Sequence, residues 1–177
     1  MSIEVIEREI VFQGHAFNVR RDQVQLPNQI VARLEIIDHP GAVTILPLDA
    51  DGQILFVRQY RHAVGMELLE LPAGTLREGE PPEACALREM REETGYAAGK
   101  IVKLSEFYLA PGYSTEHMTV YLATELLPDP LPRDADELIT LERVPVKQAY
   151  EMALNGELQD GKSLAALLLV RDAILAA

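Results

Sequence analysis

Glu89, Glu92 and Glu93 stand at i, i+3 and i+4 of a segment that reads as helical. At ~100° per residue the three side chains fall within about 100° of the helix circumference, on one face. Like charges that close repel one another. Glu92 and Glu93 also sit in the last turn, where the helix macrodipole disfavours anions. A hard divalent cation is the simplest compensation for this local cost. Oxygen-only ligands in a partial cage suit Mg²⁺, which keeps several waters and binds substrate phosphates; Mn²⁺ is the alternative cation. The competing explanation is a solvated acidic helix face, which accounts for the charge but asks for no particular spacing.

The neighbouring residues are those that would position such a helix. Pro81 and Pro82 suit its first turn, where a missing N–H costs little. Gly95 follows the acidic turn and suits a left-handed cap. Residues 66–71 form an apolar run that reads as a strand, and Leu71-Pro72-Ala73-Gly74 is a breaker cluster at its end. The predicted order is strand, loop, helix, with the loop folded over the acidic face. Arg88 adjoins the cluster and can pair with one carboxylate.

Residues 74–96 resemble the Nudix box: glycine, five residues, Glu, seven residues, then Arg-Glu-hydrophobic-x-Glu-Glu-x-Gly-hydrophobic. Gly74, Glu80, Arg88, Glu89, Met90, Glu92, Glu93, Gly95 and Tyr96 match every specified position. The resemblance implies metal-dependent hydrolysis of a nucleoside diphosphate linked to another group. It implies Mg²⁺ on Glu89, Glu92 and Glu93, a further oxygen from the backbone carbonyl of Ala73, and an ordering role for Glu80 and Arg88. The chemistry has clear demands. Cations must neutralise the diphosphate oxygens before a nucleophile can approach. The attacking water must be in line and must lose a proton as it attacks.

Two further stretches are similar to the ADP-ribose pyrophosphatase subgroup of that family. One is Val57-Arg58-Gln59-Tyr60-Arg61. The other is Ala110-Pro111-Gly112-Tyr113-Ser114-Thr115-Glu116, whose proline lies 15 residues beyond Tyr96. The similarity implies ADP-ribose as substrate, with AMP and ribose 5-phosphate as products. It makes Arg61 and Arg58 candidates to contact phosphate, and Pro111, Gly112 and Glu116 candidates to bind substrate. The N-terminal strands resemble the subgroup's dimerisation domain, exchanged between the subunits of a homodimer. In the subgroup a carboxylate on a loop after the box serves as general base. The candidates here are Asp134, Asp136 and Glu137. Relatives often carry an acid where this chain has Ala135, so the choice stays open. Glu137 is favoured by its place before Leu138-Ile139 and by its reach, with Asp136 second; Glu92 joins them as a catalytic candidate. The rival readings are a hydrolase of another nucleotide sugar such as GDP-mannose, and a non-catalytic nucleotide-sugar-sensing module. The complete set of Glu89, Glu92 and Glu93 argues against the sensor.

Composition narrows the partners. The formal net charge of −12 argues against a nucleic-acid surface. A small anionic substrate remains compatible, because a bound metal reverses the sign locally. Cys85 is the only cysteine, so no intramolecular disulfide framework exists, and a reducing, cytoplasmic setting is expected. As a lone thiol inside the acidic helix, Cys85 reads as a small packing residue. The longest apolar stretch, residues 164–170, falls short of the ~20 residues of a membrane span. The first residues show no basic stretch followed by an apolar one, so no signal peptide and no membrane partner are expected.

Residues 3–38 read as three strands broken at Gly14-His15 and Pro27-Asn28. The near-continuous apolar run 42–48 reads as a strand buried on both faces. Strands follow at 53–60, 101–109, 118–126 and 138–143, with helices at 146–154 and 162–176. This order predicts an α+β protein with a mixed sheet covered by helices, matching the α/β/α sandwich that the resemblance implies. A small antiparallel N-terminal β-domain is placed at 1–39 and the Nudix domain at 40–177. The four histidines show no metal-ligand spacing and read as turn or structural residues.

Overall fold

The computed structural model describes residues 3–133 and 137–175, with side chains as far as Arg171. The chain forms two compact units. Met1–Gly41 joins Tyr108–His117 in the first; Ala42–Phe107 and Met118–Ala177 make the second.

In the first unit β1 (Glu4–Gln13), β2 (Asn18–Gln25) and β3 (Val31–Asp38) form an antiparallel meander in that order. Its turns fall where the sequence places them. Gly14 donates its N–H to the Phe17 carbonyl, and Leu26 donates to Ile30. Every residue of β1 is exposed, including Ile6, Ile10 and Phe12, and Val24 is the only apolar side chain of the sheet in the core. Such a sheet buries too little apolar surface to be stable alone. Buried Asp22 accepts two hydrogen bonds from Arg8, at 2.9 Å each, which hold its carboxyl below the usual range. Residues 113–115 run parallel to the end of β3: Ile37 donates to the Tyr113 carbonyl at 2.8 Å, and Thr115 donates to the Ile37 carbonyl at 3.0 Å.

The second unit holds two sheets. A mixed four-stranded sheet runs β7 (Ala73–Thr75), β4 (Ala42–Pro47), β9 (His117–Pro128), β8 (Tyr96–Tyr108); β4 is parallel to β9 and antiparallel to β7. An antiparallel sheet runs β10 (Ile139–Pro145), β5 (Gln53–Arg61), β6 (Met66–Glu70). All six residues of β4 are buried, as a strand covered on both faces requires. Period-2 alternation sends its side chains to two cores. Val43 and Ile45 pack with Cys85, Ala86 and Met90 of the acidic helical segment. Ala42 and Leu46 pack with Ile54, Phe56 and Leu71, and with Ala166 and Leu167. The last two belong to α3 (Gly161–Leu175), which follows α2 (Val146–Asn155). Each large core side chain contributes about 1.5–3 kcal/mol of burial. The four-stranded sheet thus packs against α1 (Pro82–Glu89) on one face of β4 and against β5 and α3 on the other.

Two expectations need correction. Residues 73–75 are not part of a loop. Ala73 and Gly74 pair with Thr44 and Val43, so they form a short strand. The run read as a strand from 101 begins at Tyr96, because Gly95 turns the chain directly into β8. Among the described residues no helix is long and apolar enough to cross a membrane.

Candidate active site

α1 starts where its prolines allow. Pro81 is extended (φ −64°, ψ 141°) and Pro82 occupies the first turn without loss of a needed N–H. After Glu89 the helix widens into a π-type turn, Met90–Thr94, and stops at Gly95, whose φ of 80° is left-handed. The acidic residues therefore lie on α1 and on this wide turn together, not on one regular α-helix.

Arg88 braces the segment. Its Nε and Nη2 donate to the two oxygens of Glu80 at 2.8 and 2.9 Å, a bidentate pair. Hydrogen bonding to Arg88 lowers the Glu80 carboxyl to about 2. Arg88 Nη1 also donates to Glu89 Oε1 at 2.6 Å and to Glu92 Oε2 at 2.8 Å. The guanidinium therefore holds three of the box carboxylates, where the sequence suggested one.

Glu89 and Glu93 are buried, at 8% and 3% exposure. Glu93 Oε2 accepts the N–H of Ala73 at 3.1 Å. The Glu89 carboxylate lies against Gly74, where an added Cβ would stand 1.9 Å from Oε1. This close approach explains the glycine that opens the box. Gly74→Ala is expected to displace the Glu89 carboxylate and cut turnover about 10- to 100-fold while the fold persists. Circular dichroism beside steady-state kinetics checks this; full activity would show that Glu89 tolerates the displacement.

Burial pushes the Glu89 carboxyl up to about 7, against the pull of Arg88, with Glu92 and Glu137 adding repulsion. Burial likewise pushes Glu93 up to about 8, helped by Glu89 and Glu137 and opposed by the Ala73 N–H and Lys162. Glu137 thus lies within the electrostatic reach of both buried glutamates. Asp134 and Asp136 lie outside the described residues.

Among the described residues no three acidic, histidine or cysteine side chains converge on one point. The side chains explain this: Arg88 bonds both Glu89 and Glu92, and Glu93 is turned to Ala73. The donor set nevertheless fits a hard divalent cation. It is all oxygen, it includes two buried carboxylates that repel each other, and Gly74 leaves them room. Cys85 does not compete for the chemistry, since burial pushes its thiol up to about 12.

Arg61 makes a bidentate pair with buried Glu70, at 2.7 and 2.8 Å, and Glu70 also bonds Lys162. Lys162 reaches Asp160 at 3.0 Å, and Ser163 Oγ donates to Asp160 while accepting the Leu71 N–H. Glu93 adds to the field on Arg61, so this network borders the acidic cluster. Arg58 is held by Glu142 across the β5–β10 pair. Pro111, Gly112 and Glu116 belong to the first unit. There the Ala110 carbonyl accepts the N–H groups of Tyr113 and Ser114, and the Glu116 carbonyl accepts that of Leu109.

Sequence reasoning did not single out Glu70, Lys162 or Glu142. A signal existed for the first: Glu70 is a charged residue set among Leu68, Leu69 and Leu71, where an unpaired charge would be costly.

The comparisons agree with this architecture. The NUDIX domain model matches residues 38–167. The chain is 37% identical over 166 residues to the ADP-ribose pyrophosphatase of Bacillus subtilis (strain 168), covering 93% of this chain and 90% of that protein. It is 32% identical over 179 residues to the GDP-mannose pyrophosphatase of Enterobacter sp. (strain 638), covering 93% and 92%. A solved ADP compounds hydrolase superposes with a TM-score of 0.87 at 23% identity, covering 99% of this chain and 96% of that one, and so shares its fold. With the domain pattern spanning most of its length and these relatives matching it nearly end to end, the chain belongs to the Nudix family.

Proposed function

We propose that this protein hydrolyses the diphosphate bridge of ADP-ribose, releasing AMP and ribose 5-phosphate. The observation that carries the reaction class is the pair of buried carboxylates, Glu89 and Glu93, beside Gly74 and Ala73 and braced by the Glu80–Arg88 pair. The 37% identity to an ADP-ribose pyrophosphatase supports the substrate. The relative acting on GDP-mannose favours the second reading, another nucleotide sugar on the same site.

Glu89, Glu92, Glu93 and the Ala73 carbonyl are the residues that would hold Mg²⁺, with Mn²⁺ as substitute. The cation would supply neutralisation of the diphosphate and polarisation of its oxygens. Glu137 takes the proton of the attacking water, with Asp136 second. A new P–O bond forms to the water oxygen, and the bridging P–O bond breaks with its electrons on the departing phosphate. Arg61 is the first phosphate contact and Arg58 the second; Pro111, Gly112 and Glu116 border the substrate. Glu70 orients Arg61 by holding Nε and Nη2, which leaves Nη1 for a phosphate oxygen. The fully exposed β1, with Ile6, Ile10 and Phe12 outward, supports a homodimer that exchanges its N-terminal strands. A cytoplasmic setting accords with the single, buried cysteine.

Product analysis with ADP-ribose and GDP-mannose side by side, with Mg²⁺ and with chelator, tests the substrate. Metal-dependent AMP and ribose 5-phosphate from ADP-ribose, with little GDP-mannose turnover, is the expected outcome. Turnover of GDP-mannose alone would keep the chemistry and overturn the substrate. Light scattering on the same sample should give twice the chain mass; a monomer would sink the exchanged dimer.

A further inference from the structure

We propose that Arg133 is a positioning residue that fixes the main chain of Glu92 and Glu93 against the strand entered just after Glu137. Its planar guanidinium donates to three backbone carbonyls: Nε to Glu92 at 2.9 Å, Nη2 to Glu93 at 2.7 Å, and Nη1 to Ile139 at 2.9 Å. The first two carbonyls belong to the wide turn Met90–Thr94. Gly95 reverses the chain there, so no following helical turn can take them up. An arginine fork suits several carbonyls at once, where a lysine offers a single point charge. Its positive charge also sits at the negative end of the helix, beside two glutamates that this end disfavours. The third carbonyl, Ile139, opens β10 two residues beyond Glu137. One side chain thus ties together the backbone of two metal-site candidates and the strand that follows the candidate base.

Nearby backbone contacts reinforce the arrangement without replacing it. Asp129 donates its N–H to the Gly95 carbonyl at 3.0 Å, Leu131 donates to Arg91 at 3.2 Å, and Arg91 pairs with Asp129 at 3.0 Å. These hold the chain at 129–131. Arg133 carries the hold on the Glu92 and Glu93 carbonyls onward to β10. Displacements of about 1 Å in such a support are enough to misplace reacting groups.

The inference rests on the reading of Glu92 and Glu93 as metal ligands and of Glu137 as base. The test compares wild type, Arg133→Ala and Arg133→Lys as full-length chains. It measures kcat and KM for ADP-ribose, Mn²⁺ affinity by electron paramagnetic resonance without substrate, and Tm. For Arg133→Ala, kcat is expected to fall about 10- to 100-fold and Mn²⁺ binding to weaken, with KM little changed. Methylguanidinium at millimolar concentration should restore part of kcat in Arg133→Ala and none in Arg133→Lys. If Tm falls but kcat and Mn²⁺ affinity stay within about twofold of wild type, Arg133 is only a structural staple and the inference fails. Should Arg133→Ala not fold, Arg133→Lys carries the same comparison. If wild type turns over no diphosphate substrate, the reading of the reaction fails, while the Mn²⁺ measurement still decides the role of Arg133.

Discussion

The Glu92→Gln, Glu93→Gln double variant should lose metal-dependent turnover by at least ~10³-fold, on the order of 4 kcal/mol of barrier, and still fold. Stability should move the other way. In the folded protein the Glu93 carboxyl sits at about 8, against 4.5 for an ordinary glutamate. Folding therefore takes up a proton. This favourable contribution is complete below pH 4.5 and is lost as pH rises through 8. The metal-free wild type should show a Tm that declines from pH 5 to pH 9. Glu89, at about 7, adds to the decline. Glutamine at 93 still accepts the Ala73 N–H but carries no charge, so the variant should decline less steeply. Cation binding to the wild type at pH 6.5 should release about one to two protons, falling toward none above pH 9. Calorimetry in buffers of different ionisation enthalpy reads that number directly. A variant that unfolds would make the acidic cluster structural, and the metal assignment would fall with it.

Glu137→Gln should lower kcat by about 10²–10⁴-fold while Mn²⁺ affinity changes only a few-fold. A second readout is independent of turnover. The Glu137 charge raises both Glu89 and Glu93, so its removal should lower both. Fewer protons would then be released on cation binding at pH 6.5. Turnover within about threefold of wild type would place the base elsewhere, with Asp136 the next candidate. Loss of cation affinity without the change in proton release would instead make Glu137 a ligand.

The elements that hold these groups were largely legible in the sequence. Pro81-Pro82 and Gly95 are strong local signals, and the structure begins and ends the helical segment at them. The run at β4 read as doubly buried because no polar residue larger than Thr44 interrupts it. Ala73–Thr75 was not legible as a strand. Three small residues after a proline carry turn chemistry, and their pairing with β4 is a tertiary fact. The widening of the helix after Glu89 was equally hidden, since Met90-Arg91-Glu92-Glu93-Thr94 has ordinary helical composition. Arg88 shows the limit of spacing arguments. Its position predicts a contact with a neighbouring carboxylate, but its bonds to Glu80, Glu89 and Glu92 depend on how the preceding loop folds. Glu70 and Lys162 lie 92 residues apart, and no local pattern could join them.

The wide turn at Met90–Thr94 bears on how a gene for such a protein can drift. A π-type turn contains one residue more than an α-turn over the same rise. Deleting one codon there would leave a more regular helix, the kind of change that ordinarily goes unnoticed by folding. It would also rotate Glu93 away from the Ala73 N–H while leaving Glu89 over Gly74. Length is therefore a constraint in this segment beside the identities of Glu92 and Glu93. A single in-frame deletion there would separate a foldable chain from a working one.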